Sequence, residues 1–152
     1  MLNSKVYILG ALALCFLVHG DTLACSCSPI DGSLSDAQLV RQARKKADAV
    51  FTGKVIAIRE FGTDTLAVSF KVDRVWKGKI PNQAVVLTDS DKIHCQLGVP
   101  FREGERYIVY AEKAYTSLVT SICTRTVKVS ESLLDVKILG RGKTPETKNN
   151  GD

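Results

Sequence analysis

Cys25, Ser26 and Cys27 stand directly after a stretch that reads as a cleavable export signal. Cleavage after Ala24 makes Cys25 the first residue of the mature chain. An α-amino nitrogen and a carbonyl oxygen on one residue close a five-membered chelate around a divalent metal. A bridge through the sulfur of that same residue pins the terminus to a rigid body. Residues of these types in this order therefore present two metal ligands at the tip of a chain, able to reach another protein's metal centre. The amine binds metal only when neutral, and an α-amino pKa of about 7.7–8.0 makes its deprotonation inexpensive.

The leader carries the marks of such a signal. Lys5 supplies a positive start, Val6 to Val18 is an apolar run broken only by Gly10, and Thr22 and Ala24 occupy the positions a signal peptidase reads. The run is shorter than the roughly 20 apolar residues of a membrane-spanning helix. The expectation is a signal peptide over residues 1–24 and a secreted, extracellular chain with no membrane span (periplasmic or cell-surface in a bacterium). An uncleaved anchor is one alternative. A bacterial lipoprotein signal is another, since it also leaves a cysteine first; it usually carries Leu three residues earlier, where this chain has Thr22. Lipidation would consume both the thiol and the amine of Cys25.

Without the leader, Cys25–Asp152 suits one domain with a buried core. The formal charge stays at +5, because the leader carries only Lys5 and Asp21. The largest basic cluster, Arg41, Arg44, Lys45 and Lys46, reads as the solvated face of a helix. No basic groove interleaved with aromatics argues for nucleic acid. His94 is the single histidine left after cleavage, and neither a phosphate-binding glycine loop nor an H-E-x-x-H motif occurs. Glu60, Asp64, Asp89, Asp91, Glu103 and Glu105 show no pairing for acid–base work. These features argue against an enzyme and against a cofactor of the chain's own.

Four cysteines remain, Cys25, Cys27, Cys95 and Cys123, and an even count in an exported domain points to two disulfides. Pairing Cys25 with Cys27 would close a strained tiny ring, which leaves two long-range connectivities open. A zinc site from Cys25, Cys27, Cys95 and His94 lacks the usual paired Cys-x₂₋₄-Cys spacing. A redox-active Cys-x-Cys lacks a surrounding βαβ pattern.

The elements that must position these residues are mainly strands. Ser35 to Gln38 forms a capping box that opens a helix through about Ala47, with Leu39, Val40 and Ala43 on its apolar face. Ala49–Arg59 is a β-branched strand with a bulge expected at Gly53. Leu66, Val68, Phe70 and Val72 alternate with polar or small residues, and Gly62-Thr63-Asp64 joins the two strands as a hairpin. Trp76-Lys77-Gly78 ends the second strand, with Trp76 read as core. Ala84–Thr88 is a third strand. Glu105–Glu112 and Leu118–Thr126 form a second hairpin. Ser130 caps a final helix with Leu133, Leu134 and Ile138, stopped by Gly140. The polar segment 141–152 is expected to be a disordered tail. Five strands with a helix at each end suggest a small closed barrel of the OB type.

Cys25-Ser26-Cys27-Ser28-Pro29 at the mature start resembles the opening of the tissue inhibitors of metalloproteinases. Cys95 lies 70 residues after Cys25, and Cys123 lies 96 after Cys27, close to the family's spacings. Ala49–Val55, Val75–Gly78 and Tyr107–Ala111 fit the same pattern. The resemblance spans Cys25–Leu139 and covers only the family's N-terminal inhibitory domain. It implies a five-stranded, netrin-like OB-type barrel over residues 25–140, with bridges Cys25–Cys95 and Cys27–Cys123. It further implies a monomeric inhibitor of zinc metalloendopeptidases, matrixin-like or related; the alternative is a netrin-like module, as a lipoprotein or not, that binds another protein or a glycan without inhibiting a protease. Cys25 would chelate the protease's zinc, Ser26 would enter the pocket just past the scissile bond, and Cys27, Ser28 and Pro29 would lie along the cleft. Lys92, Ile93 and His94 would flank that ridge. The chain departs from the family in lacking its third N-domain bridge and in carrying Gln96 after Cys95.

Overall fold

The computed structural model describes Cys27, residues 32–90 and residues 97–147. The expected signal peptide lies outside the described residues. The protein is mainly β. In chain order the elements are α1 (Asp36–Lys46), β1 (Ala49–Glu60), β2 (Thr65–Lys77), β3 (Gln83–Asp89), β4 (Arg106–Ala114), β5 (Ser117–Val119), β6 (Val127–Lys128) and α2 (Leu133–Leu139). The sheet runs β1-β2-β3-β5-β4-β6, and β1 also pairs with β4, so five strands form a ring. All pairings are antiparallel except β3–β5, where Val86 and Leu87 face Leu118 and Val119 in parallel.

Alternation decides which side chains fill the ring. In β2, Val68, Phe70 and Val72 are buried while Lys71 and Arg74 are exposed. Phe51, Phe70, Phe101 and Tyr107 stack edge to face through the interior, with centroids 5.6, 5.3 and 4.7 Å apart in sequence, a geometry that suits the aromatic quadrupole. The first halves of β1 and β4 are buried on both faces. Phe51, Tyr107 and Val109 point into the ring, whereas Val50, Ile108 and Tyr110 pack outward with Ala43, Trp76, Val136 and Leu139. This is why both segments read as continuous apolar runs.

Local chemistry sets the element ends. Ser35 caps α1: the Gln38 N–H donates to its Oγ at 3.4 Å, and the Ser35 N–H donates to Gln38 Oε1 at 2.8 Å. At the other end the Lys77 ammonium donates to the carbonyls of Arg44, Lys45 and Ala47, satisfying acceptors that a helix terminus leaves open. The β1–β2 register shifts between Thr52 and Gly53, where the bulge was expected, and again between Val55 and Ala57.

Three expectations need revision. No strand continues through 118–126; β5 ends at Val119 and a 3₁₀ turn, Ile122–Thr124, follows. The last α-helix begins at Leu133 after a separate 3₁₀ turn, Val129–Glu131, with Ser132 rather than Ser130 before it. Leu133 and Leu134 are exposed on that helix, and Val136 and Leu139 make its core contact. The segment from Arg141 is not disordered where it is described. The Lys143 N–H donates to Val75 O at 2.7 Å and the Val75 N–H returns a bond at 2.9 Å, an antiparallel bridge. Glu146 bridges Pro81 in parallel, its N–H donating to Ile80 O and its carbonyl accepting from Asn82 N–H, both at 3.0 Å. Trp76 anchors this strap: its indole N–H donates to Gly140 O at 2.9 Å, and Gly142 lies against its ring. Residues 148–152 lie outside the described part.

Candidate functional site

Cys27 is bridged to Cys123, which stands in the middle of the 3₁₀ turn that leaves β5. The bridge spans 96 residues with a Cα–Cα distance of 5.3 Å. A closed loop of that length stabilises by roughly 4–5 kcal/mol on a chain-entropy argument. Cys123 is exposed and Cys27 half-buried. Because the Cys27 sulfur is committed to this bridge, it does not serve as a zinc thiolate. Among the described residues no cluster of three His, Cys, Asp or Glu side chains is arranged to hold a metal.

The turn that carries Cys123 is braced from three directions. Ser121 Oγ accepts from the Cys123 N–H at 3.2 Å and so caps the turn. Thr120, Thr124 and Thr126 bring their hydroxyls together, with Oγ1–Oγ1 distances of 2.8, 2.7 and 3.1 Å. Thr120 donates to Tyr110 O at 3.0 Å, and the Tyr110 N–H donates to Thr126 Oγ1 at 2.9 Å, tying the cluster to β4. Arg125 then adopts φ 71°, a left-handed conformation uncommon for a residue with a side chain. It grips Asp135 with two parallel bonds, Nε to Oδ2 at 2.7 Å and Nη2 to Oδ1 at 2.8 Å.

Asp135 is 2% exposed and also accepts from the Tyr110 hydroxyl at 3.0 Å. Burial pushes the Tyr110 hydroxyl well above its ordinary pKa, and the neighbouring carboxylate acts in the same direction. The hydrogen bond to Asp135 likewise raises Arg125. A buried carboxylate with a bidentate guanidinium and a phenol is satisfied on both oxygens.

The second candidate segment is held at both stems. The Ser90 N–H donates to Asp64 O at 2.9 Å, and the Val99 N–H donates to Thr88 Oγ1 at 3.0 Å. Leu97 O accepts from the Ile122 N–H at 2.9 Å, next to Cys123. Cys27 and Leu97 are therefore fastened to adjacent residues of one turn. Cys25, Ser26, Ser28, Pro29, Lys92, Ile93, His94 and Cys95 lie outside the described residues.

Reading the sequence alone misses the support of this turn. Tyr110, Asp135 and Arg125 carry no local motif, because they meet only through the fold. The spacing Thr120-x₃-Thr124-x-Thr126 was the one available signal. Lys77 was missed as a cap, and with Arg41, Arg44 and Lys45 it lines an open recess. Within that group Arg44 is not merely solvated, since its Nη2 donates to Trp76 O at 3.3 Å. Lys46 pairs with Glu112 at 3.7 Å. No helix among the described residues is long and apolar enough to cross a membrane. No family model matches the sequence, and no curated protein matches it.

Proposed function

We propose that the mature chain is a secreted inhibitor of zinc metalloendopeptidases, acting through the free amine and carbonyl of Cys25. The observation that carries this reading is the Cys27–Cys123 bridge, which fixes the chain two residues after the proposed terminus. Ile122, beside Cys123, holds the carbonyl of Leu97, and Leu97 follows Cys95 by two residues. Two residues of chain reach at most about 7 Å. Cys25 and Cys95 thus belong to short stretches leaving the same turn, which supports a second bridge between them. On this reading the five-strand ring is a netrin-like barrel of the OB type with two disulfides.

The proposed chemistry is simple. In a zinc endopeptidase the metal-bound water is the nucleophile. An amine and a carbonyl from Cys25 would take its place without offering a bond to cut. Ser26 would fill the adjacent pocket, Cys27, Ser28 and Pro29 would follow the cleft, and Lys92, Ile93 and His94 would line its other side. So short a ridge binds tightly only when its ordering cost is met before binding, which is the role of the bridges. The inhibitor holds no cofactor; the zinc is the protease's, and one monomer would serve.

Mass and N-terminal sequence of the exported protein, followed by titration against a panel of matrixin-like and related zinc endopeptidases, test this. The expected result is a chain starting at an unmodified Cys25 with all four mature cysteines bridged, inhibiting at least one enzyme stoichiometrically. An acylated terminus, a retained Ala24 or no inhibition across the panel would overturn it.

A further inference from the structure

We infer that Arg125 is a positioning residue that fixes the orientation of the Cys27–Cys123 bridge through its clamp on Asp135. Arg125 is two residues from Cys123, and its backbone sits at φ 71°. A side chain in that conformation persists only where its surroundings hold it. What holds it is the bidentate pair with Asp135, whose carboxylate is in turn held by the Tyr110 hydroxyl. Tyr110 is fully buried in β4, and Asp135 belongs to α2, so the clamp joins the turn to two separate elements.

The start of the same turn is fixed by the threonine cluster on β4 and by backbone bonds from Thr120 N–H to Leu87 O in β3 and from Ile122 N–H to Leu97 O, both 2.9 Å. Arg125 adds the connection to the helix. Without it the half of the turn after Cys123 loses its tie to α2 while the half before it stays anchored, and the bridge on the exposed Cys123 is held from one side alone. The link from bridge to inhibitory ridge rests on the proposed function; the clamp itself does not. On that reading the loosened bridge would raise the rate at which the inhibitor leaves the protease.

Native-state reduction of the bridge by a small thiol, followed as alkylatable Cys27 and Cys123 by mass, reads the clamp directly. Arg125→Gly removes the side chain yet accepts the left-handed backbone freely, and Arg125→Lys keeps the charge without the planar fork. Val68→Ala, a cavity in the ring interior, serves as the comparison, with all variants measured at urea concentrations that equalise global stability. Reduction of Arg125→Gly should run on the order of ten-fold faster than Val68→Ala, through local opening of the turn, with Arg125→Lys between them. Should Arg125→Gly fail to fold, Arg125→Lys carries the comparison alone. Equal rates at equal global stability would overturn the inference. Faster reduction in a chain that inhibits no protease keeps the clamp and discards the inhibitory reading; unchanged reduction in a chain that does inhibit discards the clamp alone.

Discussion

Gly98 lies so close to the carbonyl of Asp89 that a β-carbon on it would sit 2.0 Å from that oxygen. The two residues are the opposing stems of the segment that carries Lys92, Ile93, His94 and Cys95. Their approach leaves no room for any side chain, and the nearest obstacle is backbone, which cannot swing aside.

Gly98→Ala should therefore cost about 3 kcal/mol, the upper end of what overpacking with a backbone shift usually costs. The urea midpoint of the purified domain measures it. An unchanged midpoint would mean that the stems separate without penalty and do not fix the segment between them.

Alkaline pH should weaken the domain through Tyr110 and Tyr107. Burial raises both phenols above their ordinary value of 10.0. Each binds its proton more firmly folded than unfolded, so its contribution is complete below about pH 10 and drains as the pH climbs further. The loss should approach about 1.4 kcal/mol per pH unit for Tyr110. Urea titrations between about pH 9 and pH 11 should show a shallower decline for Tyr110→Phe; an identical slope would contradict the assignment.

Trp76 is the chain's single tryptophan and reports on the strap. A β-carbon at Gly142 would meet its Cε2 at 3.0 Å, so Gly142→Val should displace the strap from Trp76 and from Val75 of β2. Emission should shift to longer wavelength, with a loss of about 1–2 kcal/mol. Deleting the chain after Gly140 should give the same spectrum. Native-like emission from both variants would show that the strap does not cover the indole.

A single Ala placed ahead of Cys25 should abolish protease inhibition while leaving the thermal midpoint within about 1–2 °C, because it moves the amine off the chelating residue and alters no side chain of the chain itself. Inhibition equal to that of the parent chain would rule out chelation by Cys25.

How much of this was legible beforehand depended on whether the signal was local. The capping box at Ser35 and Gln38, the alternation from Leu66 to Val72 and the bulge at Gly53 are short-range patterns, and each appears where expected. The pairing of Cys27 with Cys123 was one of two long-range options, favoured by resemblance rather than by spacing alone. The failures are non-local. Leu118 to Thr126 has strand composition, yet Ser121, Arg125 and the threonine hydroxyls bend it through partners on β4 and α2. Leu133 and Leu134 look like a core face, yet they are exposed, and the partly buried Val136 and Leu139 make the helix's core contact instead. The polar composition of 141–147 hides its backbone bridges to Val75 and Pro81, which use no side-chain pattern. The ridge residues around Cys25 and His94 fall outside the described part, so their roles rest on the proposal.

Where β1 runs past its pairing with β4, the Ile58 N–H donates to Glu103 Oε1 at 2.9 Å. A strand margin that would otherwise recruit a foreign strand is thereby occupied by a charged group of the same chain. A neighbouring molecule therefore finds one fewer open backbone donor along this margin on which to add a strand. Glu103→Ala should accordingly speed aggregation followed by light scattering, and an unchanged rate would show that the contact does not guard the margin.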